Sequence, residues 1–539
     1  MTTQTLPPTA QLASVAARSS APWLIFPTAF LEGASVIIIE ITGARALAPY
    51  FGTSLQVWTA TITVTLFFLA IGYGLGGVLT KRLRGWTLPS LFALAGFWTA
   101  LYPVWRTAIL DSTSRQLGVA LGSLVSASIL FGVPLLMLGA VSPVLIAYID
   151  RRRPGAGTAA GKLFFTNTMG GLIGGWVTAF ALIPYAHVSY TLVATGIGLI
   201  ALGLVWVLIT RNMGSALLVV PMLLIAGYIL VFVRPQRTFV DKYDIPFQLL
   251  YSRQSGIGLL QVLEYDHPRH LGRMLLINGV MQGEMNPQTG RADLNPQQPD
   301  YIHNLHLLSY SHHPNAKTAL QLGLGAGLLP KELARRGVAV TAIEIEPRMV
   351  ELARNYFQLP DSVDVRIADA RTFFRNDPSK YDLIFLDTFA SESTAWYLLT
   401  KEAFEEMRNK LNPGGRLIIN TVAYASLEKP GLERVETSVR AAFPQALVYP
   451  EAPRSDDPED LVNATIVAGD NLRADMVVPP NGDYRMPSLS LLVRNERAAR
   501  VIGEPTTDDR SDTDYVQAPL RIRWRTLIWD AVNSTLLWD

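Results

Sequence analysis

The chain has 539 residues, 49% hydrophobic and 17% charged, with a formal net charge of +2 and no cysteine. Soluble chains carry about 25% charged residues, and the deficit here is local: residues 21–233 hold four acids (Glu32, Glu40, Asp111, Asp150) and eleven bases, whereas 234–539 hold 40 acids and 34 bases. That excludes a single soluble domain, a disordered chain and a purely membrane-embedded one; the missing cysteines exclude disulfides and thiolate chemistry, and a pI near 8.6 without arginine–aromatic clusters gives no sign of nucleic acid.

Residues 1–20 read as a tail with one arginine and no apolar run. Residues 21–233 form a polytopic α-helical membrane domain of about seven helices, near 21–42, 56–80, 87–105, 117–147, 160–184, 190–210 and 214–233, each close to the ~20 apolar residues a span requires. The fourth is long for a simple span and contains Pro134 and Pro143. Glycines recur at 72, 74, 76, 77 and at 170, 171, 174, 175, where small residues let helices pack closely. Glu32 and Glu40 lie inside the first span, with Arg45 at its end. An ionisable group at that depth is costly unless it is paired or faces water. These acids therefore either line a site for a cationic substrate or act as structural clamps, Glu40 with Arg45. Two basic loops, Lys81-Arg82-Leu83-Arg84 and Arg151-Arg152-Arg153 with Lys162, fall on one side and read as cytoplasmic. With seven spans the carboxyl half would then lie outside.

Residues 234–315 read as a polar linker followed by a small β-rich subdomain, with strands at Gly258–Tyr265 and Met274–Asn278 and a turn at Asn278-Gly279. From 316 to 539 the pattern is an α/β Rossmann-like domain. Strands at Ala319–Leu322, Ala339–Ile343, Val363–Ile367, Leu383–Phe385 and Arg416–Asn420 alternate with helices ending near Arg336, Tyr356 and Leu411. Such alternation makes a parallel sheet with helices on both faces, and ligands bind at the carboxyl ends of its strands. The first end carries Gly323, Gly325 and Gly327; the next three carry Glu344, Asp369 and Asp387. Glycines let a ligand approach the backbone, an acid after the second strand can accept from a ribose diol, and a carboxylate after the third can accept from an adenine amino group. No Lys or Arg accompanies the glycines as in a P-loop, and Leu328 breaks the dinucleotide register, so the set suits an adenosine without phosphates. His303, His306, His312 and His313 lack the spacing of a metal site, and no metal is expected. Thr507-Asp508-Asp509 reads as a surface loop or a flap over the site, and Trp524, Trp529 and Trp538 as core or interface residues.

The stretch from about Gly256 to Asn420 resembles the spermidine synthase (aminopropyltransferase) family, which shares the methyltransferase-type Rossmann fold. The runs that carry it are Leu276-Ile277-Asn278-Gly279-Val280-Met281-Gln282, Gly323-Leu324-Gly325-Ala326-Gly327 with Lys331-Glu332, Glu344-Ile345-Glu346, Asp369-Ala370-Arg371 and Tyr381-Asp382-Leu383-Ile384-Phe385-Leu386-Asp387. Around Glu40–Arg45 and Gly72–Arg84 the membrane half resembles the polytopic segment fused to synthase-like domains in bacteria. The resemblance implies decarboxylated S-adenosylmethionine as donor and a polyamine such as putrescine as acceptor. It implies that Gly323, Gly325 and Gly327 form the donor loop, Glu344 holds the ribose and Asp369 with Ala370 faces the adenine. Asp387 would bind and deprotonate the attacking amine, with Gln282 and Tyr301 on the substrate side. The chain departs from the family at Ala326 and Ala390, where it usually has carboxylates, at Ile302-His303, and at Gly258 in place of a glutamine. Two alternatives stand beside the leading one: a methyltransferase using S-adenosylmethionine through the same glycines, Glu344 and Asp369, and a non-catalytic nucleoside- or polyamine-binding sensor or transporter. The expected partners are the lipid bilayer and a small amine, without nucleic acid and with a homodimer left open. Because adenosyl donors are cytosolic, the soluble half of this multi-pass cell-membrane protein is expected in the cytoplasm, against the seven-span count.

Overall fold

The structure is a computed structural model that describes residues 22–150, 156–232, 237–240, 244–267, 270–292, 294–295, 298–299, 301–426, 431–453, 455, 457–472 and 492–531. The amino-terminal tail, the Arg151–Arg153 loop, Trp538 and the Trp529 side chain lie outside the described residues. The described residues form two compact units, one ending before residue 237 and one running from Arg237.

In the first unit six helices are long and apolar enough to cross a membrane: Ile25–Phe51, Leu55–Thr80, Tyr102–Asp150, Ala160–Tyr185, Val188–Thr210 and Met213–Phe232. The expected third span, 87–105, is instead the 14-residue helix Thr87–Ala100. At 1.5 Å per residue it reaches about 21 Å, short of the ~30 Å hydrocarbon core. The chain continues at once into the 49-residue helix Tyr102–Asp150, which is bent where Gly118 takes φ 68°. Hydropathy does not register the break after Ala100, and the polar run Arg106–Gln116 separates 87–105 from 117–147 in the sequence although the helix continues through it. Glycines set the helix spacing: a Cβ on Gly170 would lie 2.0 Å from the Phe30 carbonyl oxygen, and one on Gly72 2.4 Å from that of Leu136. Gly74 and Gly77, in contrast, meet nothing within 4 Å. Glu32 is buried and finds partners on two other helices: the Ser142 hydroxyl donates to it (3.0 Å), as does the Asn167 amide.

The second unit begins with a six-stranded antiparallel meander from Thr238–Val240 to Arg291–Ala292. Asn278 and Gly279 join two of its strands with φ of 50° and 78°, the paired positive angles of a type I′ hairpin turn. The main sheet contains β1 (Thr318–Leu322), β2 (Ala339–Glu344), β3 (Asp364–Ile367), β4 (Tyr381–Leu386), β5 (Leu411–Tyr424), β6 (Gln445–Pro450), β7 (Leu461–Gly469) and β8 (Arg497–Ala498). Their spatial order is β3-β2-β1-β4-β5-β7-β6-β8. The first five run parallel, and β7 pairs antiparallel with both β5 and β6. Strands covered on both faces are apolar throughout. In β4, Leu383 and Phe385 enter the core that contains Leu329, Met349 and Phe357, while Ile384 and Leu386 enter the one that contains Phe404, Met407 and Val439. The order reverses between β1 and β4, which opens a crevice at their carboxyl ends. The histidine group is structural: His303, His306 and His312 are buried, and His312 hydrogen-bonds Tyr449 (2.8 Å). A carboxyl-terminal helix, Thr513–Ala531, completes the unit.

Candidate active site

A cavity of about 280 Å³ lies at that crevice. β1 runs into Gly323, whose φ is +88° and whose added Cβ would stand 2.0 Å from the Asp387 carbonyl oxygen, so both angle and space require glycine. Its N–H donates to the Ile343 carbonyl (2.9 Å), joining the start of the turn to β2. Gly325 has φ +55° and lines the cavity. Gly327 is absent from the lining; it precedes the helix Leu328–Arg335, where a Cβ would press on Leu359 at 3.0 Å.

Glu344, the last residue of β2, accepts N–H donation from Leu324 (3.0 Å) and Glu346 (2.9 Å), which ties the glycine turn to the strand end. Burial raises its pKa, and those backbone donors oppose the rise. Asp369 caps the helix Ala370–Asn376 by accepting from the Thr372 N–H (2.8 Å), and its other oxygen accepts from the Tyr397 hydroxyl (2.8 Å). Burial disfavours its charge, yet these donors more than compensate, and its carboxyl lies below its ordinary value. Ala370 is buried beside it and also lines the cavity.

Asp387 follows β4. Its N–H donates to Leu322 (3.0 Å), while its carboxylate accepts from the Asn420 amide (2.9 Å) and lies 3.3 Å from the Tyr301 hydroxyl. That hydroxyl is also 3.1 Å from the Gln282 carbonyl, and the Gln282 side chain lines the cavity. Burial pushes the Asp387 carboxyl up to about 6, against hydrogen bonds from Asn420 and Tyr301. The structure thus brings Gly323, Gly325, Glu344, Asp369, Ala370, Asp387, Gln282 and Tyr301 round one cavity. Among the described residues no Lys or Arg lines it.

Several contributors escape sequence reasoning. Asn420 sits at the carboxyl end of an expected strand, so the strand-end rule would have reached it. Tyr397, which fixes Asp369, has no local signature. Nor does the hairpin Phe389–Ala390 and Ser393–Thr394, which forms a wall of the cavity. Its turn is held from the carboxyl-terminal helix, where Arg525 donates to the Ser391 hydroxyl (2.8 Å), to the Glu392 carboxylate and to the Asn278 carbonyl (2.7 Å). Trp524 meets Phe389 edge to face. Asp508 is not a free flap: it accepts from Arg371 (2.6 and 2.8 Å) and Thr400 (2.8 Å), next to Asp369 and Ala370 in sequence.

A family model described as a methyltransferase domain matches residues 320–419. Over 108 residues the chain is 32% identical to a probable polyamine aminopropyl transferase of Bifidobacterium longum, covering 20% of this chain and 24% of that protein. Over 153 residues it is 31% identical to an N-terminal histidine N-methyltransferase of Emericella nidulans, covering 28% and 27%. Among solved structures, a probable spermidine synthase from Corynebacterium glutamicum is 19% identical with a TM-score of 0.37, covering 52% of this chain and 99% of that one. Over the matched stretch the α/β unit is similar to aminopropyltransferases and methyltransferases alike. The matched methyltransferase region holds every strand-end acid of the cavity, while Gln282 and Tyr301 come from the segment before it. The chain spans only about a quarter of the length of these two curated relatives.

Proposed function

We propose that this protein is a membrane-bound aminopropyltransferase that moves an aminopropyl group from decarboxylated S-adenosylmethionine to an amine. The observation that carries this reading is a cavity whose charged lining is three carboxylates, Glu344, Asp369 and Asp387, without a base among the described residues. Such a lining favours a cationic donor and disfavours phosphates. When bound, the donor supplies a sulfonium-activated carbon, already primed for displacement.

The rest falls to the chain's own residues. Glu344 takes the ribose hydroxyls and Asp369 with Ala370 lies along the adenine. A protonated amine is no nucleophile, so Asp387 holds the ammonium and accepts its proton as nitrogen bonds to carbon. A carboxyl whose pKa has risen to about 6 accepts that proton more readily than an ordinary aspartate. Asn420 and Tyr301 fix its two oxygens, and positioning supplies much of the remaining acceleration.

Mass spectrometry of products from the detergent-purified full chain, given either adenosyl donor and a polyamine panel, tests this. An aminopropylated amine is expected. A methylated product would replace the reading with methyl transfer, which Ala326 favours: the glycine turn carries no carboxylate to select a donor tail that bears only an amine. Bound nucleoside without product from any amine would leave a sensor.

The α/β unit is placed in the cytoplasm, where adenosyl donors are made. Six helices long and apolar enough to cross support this. If each crosses once, the α/β unit shares the side of the basic loop Lys81–Arg84, which reads as cytoplasmic. The second basic loop, one crossing later, then no longer shares that side as it does with seven spans. With no cysteine in the chain, Thr238→Cys gives a single-site probe. Protection from an impermeant maleimide in intact cells is expected, and labelling there would overturn the placement.

A further inference from the structure

We infer that the acceptor is an amine with one cationic centre joined to an apolar body, in place of a diamine. This rests on the transferase reading above and narrows its substrate class. Glu344 and Asp369 define the adenosine end of the cavity. At the other end Asp387 is the only carboxylate in the lining among the described residues. Tyr301, whose hydroxyl reaches Asp387, and Phe389 and Ala390, two and three positions after it, share the lining with it. Ile277, also of the lining, is 1% exposed, part of the unit's own core.

The acid of the adjoining hairpin turn, Glu392, is withheld. It is 5% exposed and absent from the lining, and its carboxylate takes hydrogen bonds from Ser391 and from Arg525, itself 1% exposed. Ser391, at φ +64°, turns the hairpin so that Ala390 pairs with Ser393. Both of those residues line the cavity, while the acid of the turn points to Arg525. The wall that follows Asp387 therefore offers a ring, a methyl group and hydroxyls, with no anion. A second ammonium pressed against Phe389 and Ala390 would lose its hydration with no carboxylate to offset the loss. An alkyl chain in the same place gains from leaving water. The amine nitrogen bonds to the donor carbon as the carbon–sulfur bond breaks, sulfur keeps the electron pair, and the proton passes to Asp387; none of this needs a second charge on the acceptor.

The test compares hexylamine with hexamethylenediamine, equal in length and different by one charge, on the full chain in detergent. Alkylated product is followed by mass spectrometry with each adenosyl donor, and amine binding by thermal shift in the presence of methylthioadenosine or S-adenosylhomocysteine. Hexylamine should exceed the diamine by about tenfold or more, the size of one unsatisfied charged contact. Ala390→Asp, which returns a carboxylate to the wall, should move that ratio toward the diamine by about as much. Equal or reversed ranking in the wild type overturns the inference, as does an Ala390→Asp variant that binds the nucleoside and leaves the ranking unchanged. Neither amine binding while the nucleoside binds also overturns it, and leaves the nucleoside site standing. Failure of every nucleoside to bind removes the transferase reading itself.

Discussion

Arg525→Met removes one side chain and strands another. Arg525 and Glu392 are 1% and 5% exposed, and the guanidinium also donates to Ser391 and to the Asn278 carbonyl. Breaking a buried ion pair from one side costs about 3–5 kcal/mol, most of it the orphaned charge. Arg525→Met should therefore destabilise the α/β unit by about 4 kcal/mol. Arg525→Met with Glu392→Gln removes the charge as well and should recover about 2 kcal/mol of that loss. With an m-value of about 3 kcal/mol per M of urea, the single variant shifts the unfolding midpoint by more than ~1 M. Urea titration of the full chain in detergent, read by limited proteolysis of the α/β unit, measures both shifts. Equal losses in the single and double variants would refute the reasoning, because the cost would then not come from the unpaired carboxylate. Acid gives an independent check. Burial opposes the charge of Glu392, but Arg525 and Ser391 more than offset it, so its carboxyl lies below its ordinary value. That contribution is complete above the ordinary glutamate range and is lost as pH falls through the depressed folded value. Acidification should therefore cost the wild type more stability than it costs the double variant.

Asp387→Asn should lower kcat by about 100-fold or more and leave nucleoside affinity within about threefold; in the wild type kcat/KM should fall as pH drops through about 6, where Asp387 of the free protein takes up its proton. Glu344→Gln should weaken nucleoside binding by about 10- to 100-fold in calorimetry, and full affinity would remove the ribose assignment. Gly323→Ala puts a Cβ 2.0 Å from the Asp387 carbonyl at φ +88°, and should abolish nucleoside binding with a loss of at least ~2 kcal/mol in unfolding. In the membrane unit Gly170→Leu should lower the melting temperature in detergent because a Cβ there meets Phe30 at 2.0 Å, whereas Gly77→Leu, with nothing within 4 Å, should leave it unchanged.

The strand-end acids are legible in the sequence because alternation of strand and helix is a local signal, and the residue that ends a parallel strand faces the crevice whatever the rest of the fold does. The Asn278-Gly279 turn is legible for the same reason: only residues tolerant of positive φ suit it. What sets the far wall of the cavity is not local. Arg525 reaches Glu392 across 133 positions of chain, and nothing in the local sequence of its helix, which also carries Arg521 and Arg523, says that this arginine is buried. Tyr397 is equally silent, since its hydroxyl matters only once Asp369 has been folded to within 2.8 Å of it. In the membrane half composition locates the apolar segments, yet their lengths depend on the break after Ala100 and the bend at Gly118. The first falls inside an apolar run; the second follows the polar run Arg106–Gln116, which reads as a loop although the chain stays helical through it.

The Arg525 guanidinium closes onto the Asn278 carbonyl across 247 positions of chain. A ribosome releases residues in order, so the helices of the first unit and the strands that carry Glu344, Asp369 and Asp387 have all emerged before the arginine that fixes the cavity wall leaves the exit tunnel. The finished cavity is therefore a late product of biosynthesis. A nascent chain halted before residue 525 would hold the acids without the Arg525 clamp, and Glu392, left without its guanidinium, would stand beside Ala390 as an unclaimed charge.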